Sequence, residues 1–80
     1  MNKILVIKKI ENIFIKNFKI KKNQLNSLSL GTFYKWDSIM HIKLIMEIEK
    51  KFEIKINQNT NFTLINYKKI RDYLIKVLVK

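Results

Sequence analysis

The chain has 80 residues, no cysteine and a formal net charge of +11 at pH 7. We expect one domain over residues 1–80, because a chain of this length buries only about 60–65% of its unfolded surface and lacks room for an enclosed active site. Without cysteine it cannot form disulfides or thiolate metal sites, and one histidine cannot build a zinc site.

The basic excess comes almost entirely from lysine. Of the 17 basic residues, Arg71 is the single arginine. Proteins that contact phosphates or read bases favour arginine, whose planar fork binds them in bidentate fashion, so the composition argues against a nucleic-acid partner. An A/T-rich coding sequence would itself enrich lysine, isoleucine and asparagine. A small basic helical module that binds nucleic acid or an anionic surface stays open as an alternative.

The first predicted element is a helix over about residues 2–18. Its opening apolar run stops at Lys8, far short of the ~20 residues of a membrane span, so we expect no signal or spanning segment and a cytoplasmic protein. Apolar residues recur at helical spacing, with lysine and asparagine opposite and Leu5 outside the pattern. The predicted buried arc consists of Ile4, Val6, Ile7, Ile10, Ile13, Phe14 and Phe18.

Residues 19–37 are predicted to form a long, packed first loop. Unstructured loops beyond about 12–15 residues are uncommon in compact domains, so this loop needs apolar anchors. Gly31, the single glycine, is the expected site of a positive φ. The residues expected to cover one end of the core are Ile20, Leu25, Leu28, Leu30, Phe33, Tyr34 and Trp36.

A second amphipathic helix is predicted from Asp37 to Phe52. Asp37 is a suitable N-cap, which places Ser38 on the first turn. At about 100° per residue, one arc is predicted to be buried and the opposite arc to face water. The predicted buried residues are His41, Leu44, Ile45, Ile48 and Phe52, and the predicted solvated ones are Lys43, Glu47, Lys50 and Lys51.

A third group on this helix, Ile39, Ile42 and Met46, lies beside the buried arc. These side chains give more apolar surface than one core contact requires. We interpret them as a candidate docking surface for a partner. The alternative is that the adjoining loops cover Ile39 and Met46.

The remaining chain is predicted to be an extended exit over residues 53–56, a short helical turn over about 59–64, and a last helix. Phe62 and Leu64 should anchor the turn to the core. Asn66 is the predicted cap of the last helix. Its predicted buried arc is Tyr67, Ile70, Tyr73, Leu74, Val77 and Leu78. The predicted fold class is all-α, an antiparallel bundle of three long helices plus one short helix.

The run WDSIMHIKLIMEIEKKFEIKI, residues 36–56, combines several features at fixed spacing. Trp36 precedes Asp37 and Ser38, and His41 follows the serine by three residues. This pattern resembles the second helix of acyl carrier proteins and peptidyl carrier proteins, in particular the small stand-alone carriers that open with Trp-Asp-Ser-Leu-x-His. Here Ile39 replaces the leucine.

The resemblance implies a function and a set of partners. Ser38 would carry a 4′-phosphopantetheine arm, installed from coenzyme A by a phosphopantetheinyl transferase that also contacts Asp37. The arm would hold acyl or aminoacyl groups as thioesters for a loading ligase and a downstream transferase or synthase. The protein itself would be a monomer that catalyses no reaction. Fatty-acid synthesis, a polyketide or peptide pathway and surface-glycan modification remain open, as does a degenerate carrier fold that acts only as a subunit contact.

The chain departs from this family in charge, because such carriers present an acidic second helix. Met40, Lys43, Lys50 and Lys51 stand at positions where that pattern often has acidic groups. We therefore expect docking to rely on the apolar side chains Ile39, Ile42 and Met46, aided by Met40.

Two further expectations concern polar side chains on the second helix. His41 is predicted to be a hydrogen-bonded core residue and not a base, because no group is visible that would orient it against Ser38. Glu47, Glu49 and Glu53 are predicted to be solvated positions without a chemical role.

Overall fold

The computed structural model describes residues 2–79, so Met1 and Lys80, the ends of the predicted domain, lie outside the described residues. The helices are α1 (Lys3–Phe18), a 3₁₀ helix (Lys22–Ser27), α2 (Ser38–Phe52), α3 (Gln58–Asn61) and α4 (Tyr67–Leu78). Residues 2–79 contain no strand, and one isolated antiparallel bridge pairs Ser29 with Asn66. The all-α class is therefore confirmed. None of the helices within this range has the combined length and apolarity needed to cross a membrane.

Side-chain caps set where the α-helices begin. At each start an Asn or Asp side chain accepts a hydrogen bond from a backbone N–H of the first turn, which satisfies a donor that has no partner inside the helix. The capping residues are Asn2, Asp37, Asn57 and Asn66. At their other ends, α1 and α2 stop at residues in the left-handed region, Lys19 with φ 54° and Glu53 with φ 55°. The predicted helix boundaries are confirmed except for the short helix, which begins at Gln58 and ends at Asn61.

α1 is the central element of the core and packs against both α2 and α4. Phe14 is fully buried and contacts three other rings. Its ring centroid lies 5.7 Å from that of Phe18, 5.4 Å from that of Trp36 and 5.2 Å from that of Tyr67. The contacts with Trp36 and Tyr67 are edge-to-face, an arrangement that aromatic quadrupoles favour. One helix, the long loop and the last helix therefore meet at a single side chain.

Tyr67, the first residue of α4, lies between this aromatic cluster and charged groups. The Arg71 guanidinium lies 5.7 Å from the centroid of its ring. Burial raises the pKa of the Tyr67 hydroxyl, the Glu11 carboxylate raises it further, and Arg71 offsets these effects only in part.

Four side chains predicted to be buried are instead exposed. Ile4 and Val77 lie near helix ends. Helical periodicity still predicts a buried face there, but no neighbouring element covers it. Tyr34 and Phe62 lie outside the long helices, where no periodicity indicates a direction. Their exposed fractions are 65% for Ile4, 37% for Val77, 82% for Tyr34 and 68% for Phe62. Leu64, in contrast, is buried as predicted.

Two glutamates predicted to be merely solvated have structural roles. Glu47 joins α2 to α1, because its Oε2 accepts from Lys16 Nζ at 2.6 Å and its Oε1 from Asn17 Nδ2 at 3.0 Å. Glu49 Oε2 accepts from the backbone N–H of Ile56 at 2.8 Å and so holds the segment after α2. The predicted extended exit over residues 53–56 is wrong at Glu53, which is in the left-handed region. Glu53 is exposed, as predicted.

The environment of Glu47 changes its acidity. Burial raises the pKa of the carboxyl, but the hydrogen bonds from Lys16 and Asn17 and the charges of Lys16 and Lys51 together outweigh burial and hold the pKa below its usual value. A depressed carboxyl pKa stabilises the fold above the unfolded value of about 4.3, and this contribution is lost as the pH falls through the folded value.

We therefore predict that Glu47→Gln lowers the free energy of unfolding at pH 7 by up to about 1 kcal/mol, because the pair with Lys16 is partly exposed. The difference from the wild type should shrink as the pH falls below about 4. Urea unfolding at several pH values measures this, with exposed Glu53→Gln as the matched control. A difference that stays constant across these pH values would contradict the assigned interaction.

Candidate functional site

The N-terminus of α2 presents the Ser38 side chain. Asp37 is extended, with φ −100° and ψ −175°, and its Oδ1 accepts from the Met40 N–H at 2.8 Å. Ser38 is the first residue of the helix and is exposed. Its hydroxyl forms no hydrogen bond with any residue in the described range. The structure thus places an accessible, unpaired hydroxyl at the positive end of a helix dipole.

The long loop fixes the position at which α2 begins. Gly31 has φ +88°, which confirms the predicted positive φ, and its N–H donates to the Trp36 carbonyl at 3.0 Å. The Trp36 N–H donates to the Phe33 carbonyl at 2.9 Å. The Leu30 N–H donates to the Ile65 carbonyl at 2.8 Å, which ties the loop to the segment before α4. The loop that precedes Ser38 is therefore ordered by backbone hydrogen bonds as well as by apolar packing.

Trp36 and His41 hold the first turn of α2 from its buried side. The Trp36 Nε1–H donates to His41 Nδ1 at 3.0 Å, and His41 Nε2 lies 3.1 Å from the Asn61 carbonyl oxygen. Because Nδ1 accepts, the neutral ring carries its proton on Nε2 and donates it to Asn61. The two rings also stack, with centroids 5.9 Å apart.

This arrangement confirms the prediction that His41 is a hydrogen-bonded core residue. The side chain is only 5% exposed. Both ring nitrogens are occupied, by Trp36 and by Asn61, so neither is available to take a proton from Ser38. The exposed serine and the buried histidine therefore do not form a nucleophile and base pair.

The candidate docking residues on α2 divide into two groups. Ile39, Ile42 and Met46 are 68%, 55% and 62% exposed, so the alternative that loops cover Ile39 and Met46 is wrong. Met40 is half-buried and packs against the core. We call Ile39, Ile42 and Met46 the apolar stripe. Their spacing of three and four residues places them along one side of the helix, beginning next to Ser38.

Two exposed aromatic side chains close to this end of α2 were not predicted as surface features. Tyr34 precedes Trp36 by two residues, and Lys35 between them donates through Nζ to the Phe18 carbonyl at 3.2 Å. Phe62 follows Asn61, the residue whose carbonyl faces His41. Both lie outside the long helices, where sequence periodicity carries no information about exposure.

No protein-family model, curated protein or solved structure matches this chain. Among residues 2–79, no group of three or more His, Asp or Glu side chains is arranged to hold a metal ion.

We predict that Trp36→Phe, which keeps an aromatic ring but removes the indole N–H, lowers the free energy of unfolding by about 1–3 kcal/mol, because His41 Nδ1 would remain buried without a donor. Urea unfolding followed by circular dichroism measures the change. Ser38→Ala is the control, since replacing this exposed residue should change stability by less than about 0.5 kcal/mol. Equal stability of Trp36→Phe and the wild type would show that the bond is not important for the fold.

Proposed function

We propose that this protein is a stand-alone carrier of acyl or aminoacyl groups, held as thioesters on a 4′-phosphopantetheine arm attached to Ser38. The observation that carries the proposal is the exposed, unpaired Ser38 hydroxyl at the first turn of α2. It stands within the Trp-Asp-Ser-Ile-x-His pattern of residues 36–41. The resemblance of that pattern to carrier proteins supplies the chemistry, and the geometry is compatible with it.

We further propose an antiparallel carrier-type bundle for the three long helices, in a monomeric, cytoplasmic protein. Phe14, in the second half of α1, contacts Tyr67 at the start of α4, which supports opposite directions for these helices. Phe18 at the end of α1 contacts Trp36 just before α2. These two contacts support an arrangement in which the C-terminal end of α1 lies near the N-terminal ends of α2 and α4.

The residues around Ser38 fit a phosphodiester on its oxygen. Backbone N–H groups and the dipole at the start of α2 favour negative charge at this position. Asp37 is the adjacent carboxylate, and one of its oxygens already accepts from the Met40 N–H. A phosphopantetheinyl transferase would therefore meet an exposed Ser38 hydroxyl with the Asp37 carboxylate on the adjacent residue.

The division of labour follows from the site. When attached, the arm supplies a terminal thiol that holds the acyl or aminoacyl group as a thioester. The chain supplies a rigid point of attachment, since Trp36 is fully buried two residues before Ser38 and His41 is buried three residues after it. Catalysis and the choice of cargo would belong to the loading ligase and the downstream transferase or synthase.

We predict that the protein gains the mass of one phosphopantetheine group when incubated with coenzyme A and a promiscuous phosphopantetheinyl transferase. Intact-protein mass spectrometry measures the gain, and fragmentation should locate it on Ser38. Ser38→Ala is the control and should gain nothing.

An unmodified wild-type chain would overturn the proposal and favour a degenerate carrier fold that acts only as a subunit contact. Circular dichroism on the same sample would show that the chain was folded during the incubation. Modification at another serine would also contradict the assignment, because the proposal depends on the capped first turn of α2.

A further inference from the structure

An open groove lies between α1 and the C-terminal half of α2. Its lining consists of Lys9, Asn12, Ile13, Lys16, Met46, Glu47, Lys50 and Lys51. Four of these eight side chains are lysines and one is a carboxylate. We call this feature the basic groove.

The single carboxylate in the basic groove is already neutralised. Glu47 forms its ion pair with Lys16 at 2.6 Å. Lys9 and Lys50 form no ion pair with any residue in the described range. Lys51 acts on Glu47 only through its charge, without a hydrogen bond. The side chains that line the groove therefore carry a net positive charge, although Glu49 and Glu53 lie on the other side of Met46 and Lys50.

The basic groove is continuous with the apolar stripe. Met46 belongs to both, because it lines the groove and is also the last member of the stripe. Lys50 follows Met46 by four residues and lies on the same side of α2. At about 1.5 Å per residue, Lys50 lies about 18 Å from Ser38 along the helix axis. One surface thus runs from apolar near the serine to basic at its far end.

The chemistry of this surface restricts what can bind it. A second copy of the chain is disfavoured, because each copy carries a net charge of +11 and would bring lysines against lysines. A nucleic acid would leave the three aliphatic side chains without an apolar partner. A membrane would favour a broad apolar face with basic flanks, whereas here the lysines line a groove between two helices.

We infer that the surface binds an acidic amphipathic segment of a partner protein, with apolar side chains against Ile39, Ile42 and Met46 and carboxylates against Lys50 and Lys51. The inference rests on the proposed function only in identifying that protein as an enzyme that acts on the arm of Ser38. The surface itself exists without the arm. The surface is apolar near Ser38 and basic at its far end. The partner segment therefore lies with its apolar part toward the serine and its acidic part about 18 Å away.

The experiment uses two synthetic helical peptides that share one composition. Each carries leucines at helical spacing in one half and glutamates in the other half, in opposite orders along the chain. Each is titrated into the ¹⁵N-labelled full-length protein at physiological salt, and amide shifts are followed by NMR. A scrambled peptide of the same composition is the reference. We expect one order to bind more tightly than the other and than the scrambled peptide, with the largest shifts at Ile42, Met46, Lys50 and Lys51.

Variants separate specific contacts from general attraction. Met46→Ala should weaken binding about tenfold, because it removes an aliphatic side chain that the bound peptide would bury. Lys50→Glu with Lys51→Glu should weaken it by a similar factor, and more at low salt because exposed charges are less screened. Lys68→Glu with Lys69→Glu makes the same change of charge on α4 and should leave affinity within about twofold.

Several results would overturn the inference. No binding of either peptide at millimolar concentration would do so, and so would equal loss of affinity in the two double variants, which would indicate attraction by net charge alone. Tighter binding of a duplex DNA oligonucleotide or of phosphatidylserine vesicles to the same residues would assign the surface to a different partner. A dimer formed through this surface in sedimentation would assign it to self-association.

Repeating the titration with Ser38→Ala separates this inference from the proposed function. Peptide binding that persists in Ser38→Ala while the wild type fails to accept the arm would leave the surface assignment intact and overturn the carrier proposal. Successful modification of Ser38 without peptide binding would do the reverse.

Discussion

The hydrogen bond from the Trp36 indole to the His41 imidazole joins three parts of the chain. Trp36 ends the long loop, His41 lies on the first turns of α2, and the other nitrogen of His41 faces the Asn61 carbonyl at the end of α3. The bond between Trp36 and His41 is buried, and the bond between His41 and Asn61 is part-buried. An unpaired polar atom in such a place costs more than the bond itself contributes, so the three elements favour one relative arrangement. The accessible Ser38 hydroxyl depends on that arrangement, because it lies between the two bonded residues.

The surface and the core of α2 follow different physical rules. In the core, aliphatic and aromatic side chains fill the space beside α1, and the one polar residue, His41, is fully paired. On the surface, an apolar stripe leads from Ser38 into a groove lined by lysines. Lysine charges on an exposed helix contribute little to folding, since single exposed pairs are worth about 0–1 kcal/mol. Their arrangement matters instead for which partners approach, because complementary charge favours encounter and selects orientation.

The sequence predicted the helices and the buried arc of α2 because helical periodicity reports directly which face is covered. All five predicted buried residues of α2 are buried, and Asp37 and Asn66 cap their helices as expected. Periodicity does not report where a neighbouring element stops, so Ile4 and Val77 were assigned to the core and are exposed. The 3₁₀ helix of Lys22–Ser27 also escaped prediction, because six residues with one buried apolar side chain give no periodic signal. The role of Glu47 depends on partners in α1, and the role of Glu49 depends on the course of the segment that follows α2. No local pattern indicates such partners.

Trp36 also has an optical consequence. It is the single tryptophan of the chain, it is fully buried, and it precedes Ser38 by two residues. Its indole donates a hydrogen bond to the imidazole of His41. Its emission therefore arises from one environment and should be shifted to short wavelength relative to an indole in water. Any event at Ser38 that disturbs the loop or the first turn of α2 would change that emission. The protein thus contains an intrinsic fluorophore directly beneath its candidate site, and structural changes at that site can be followed without a label.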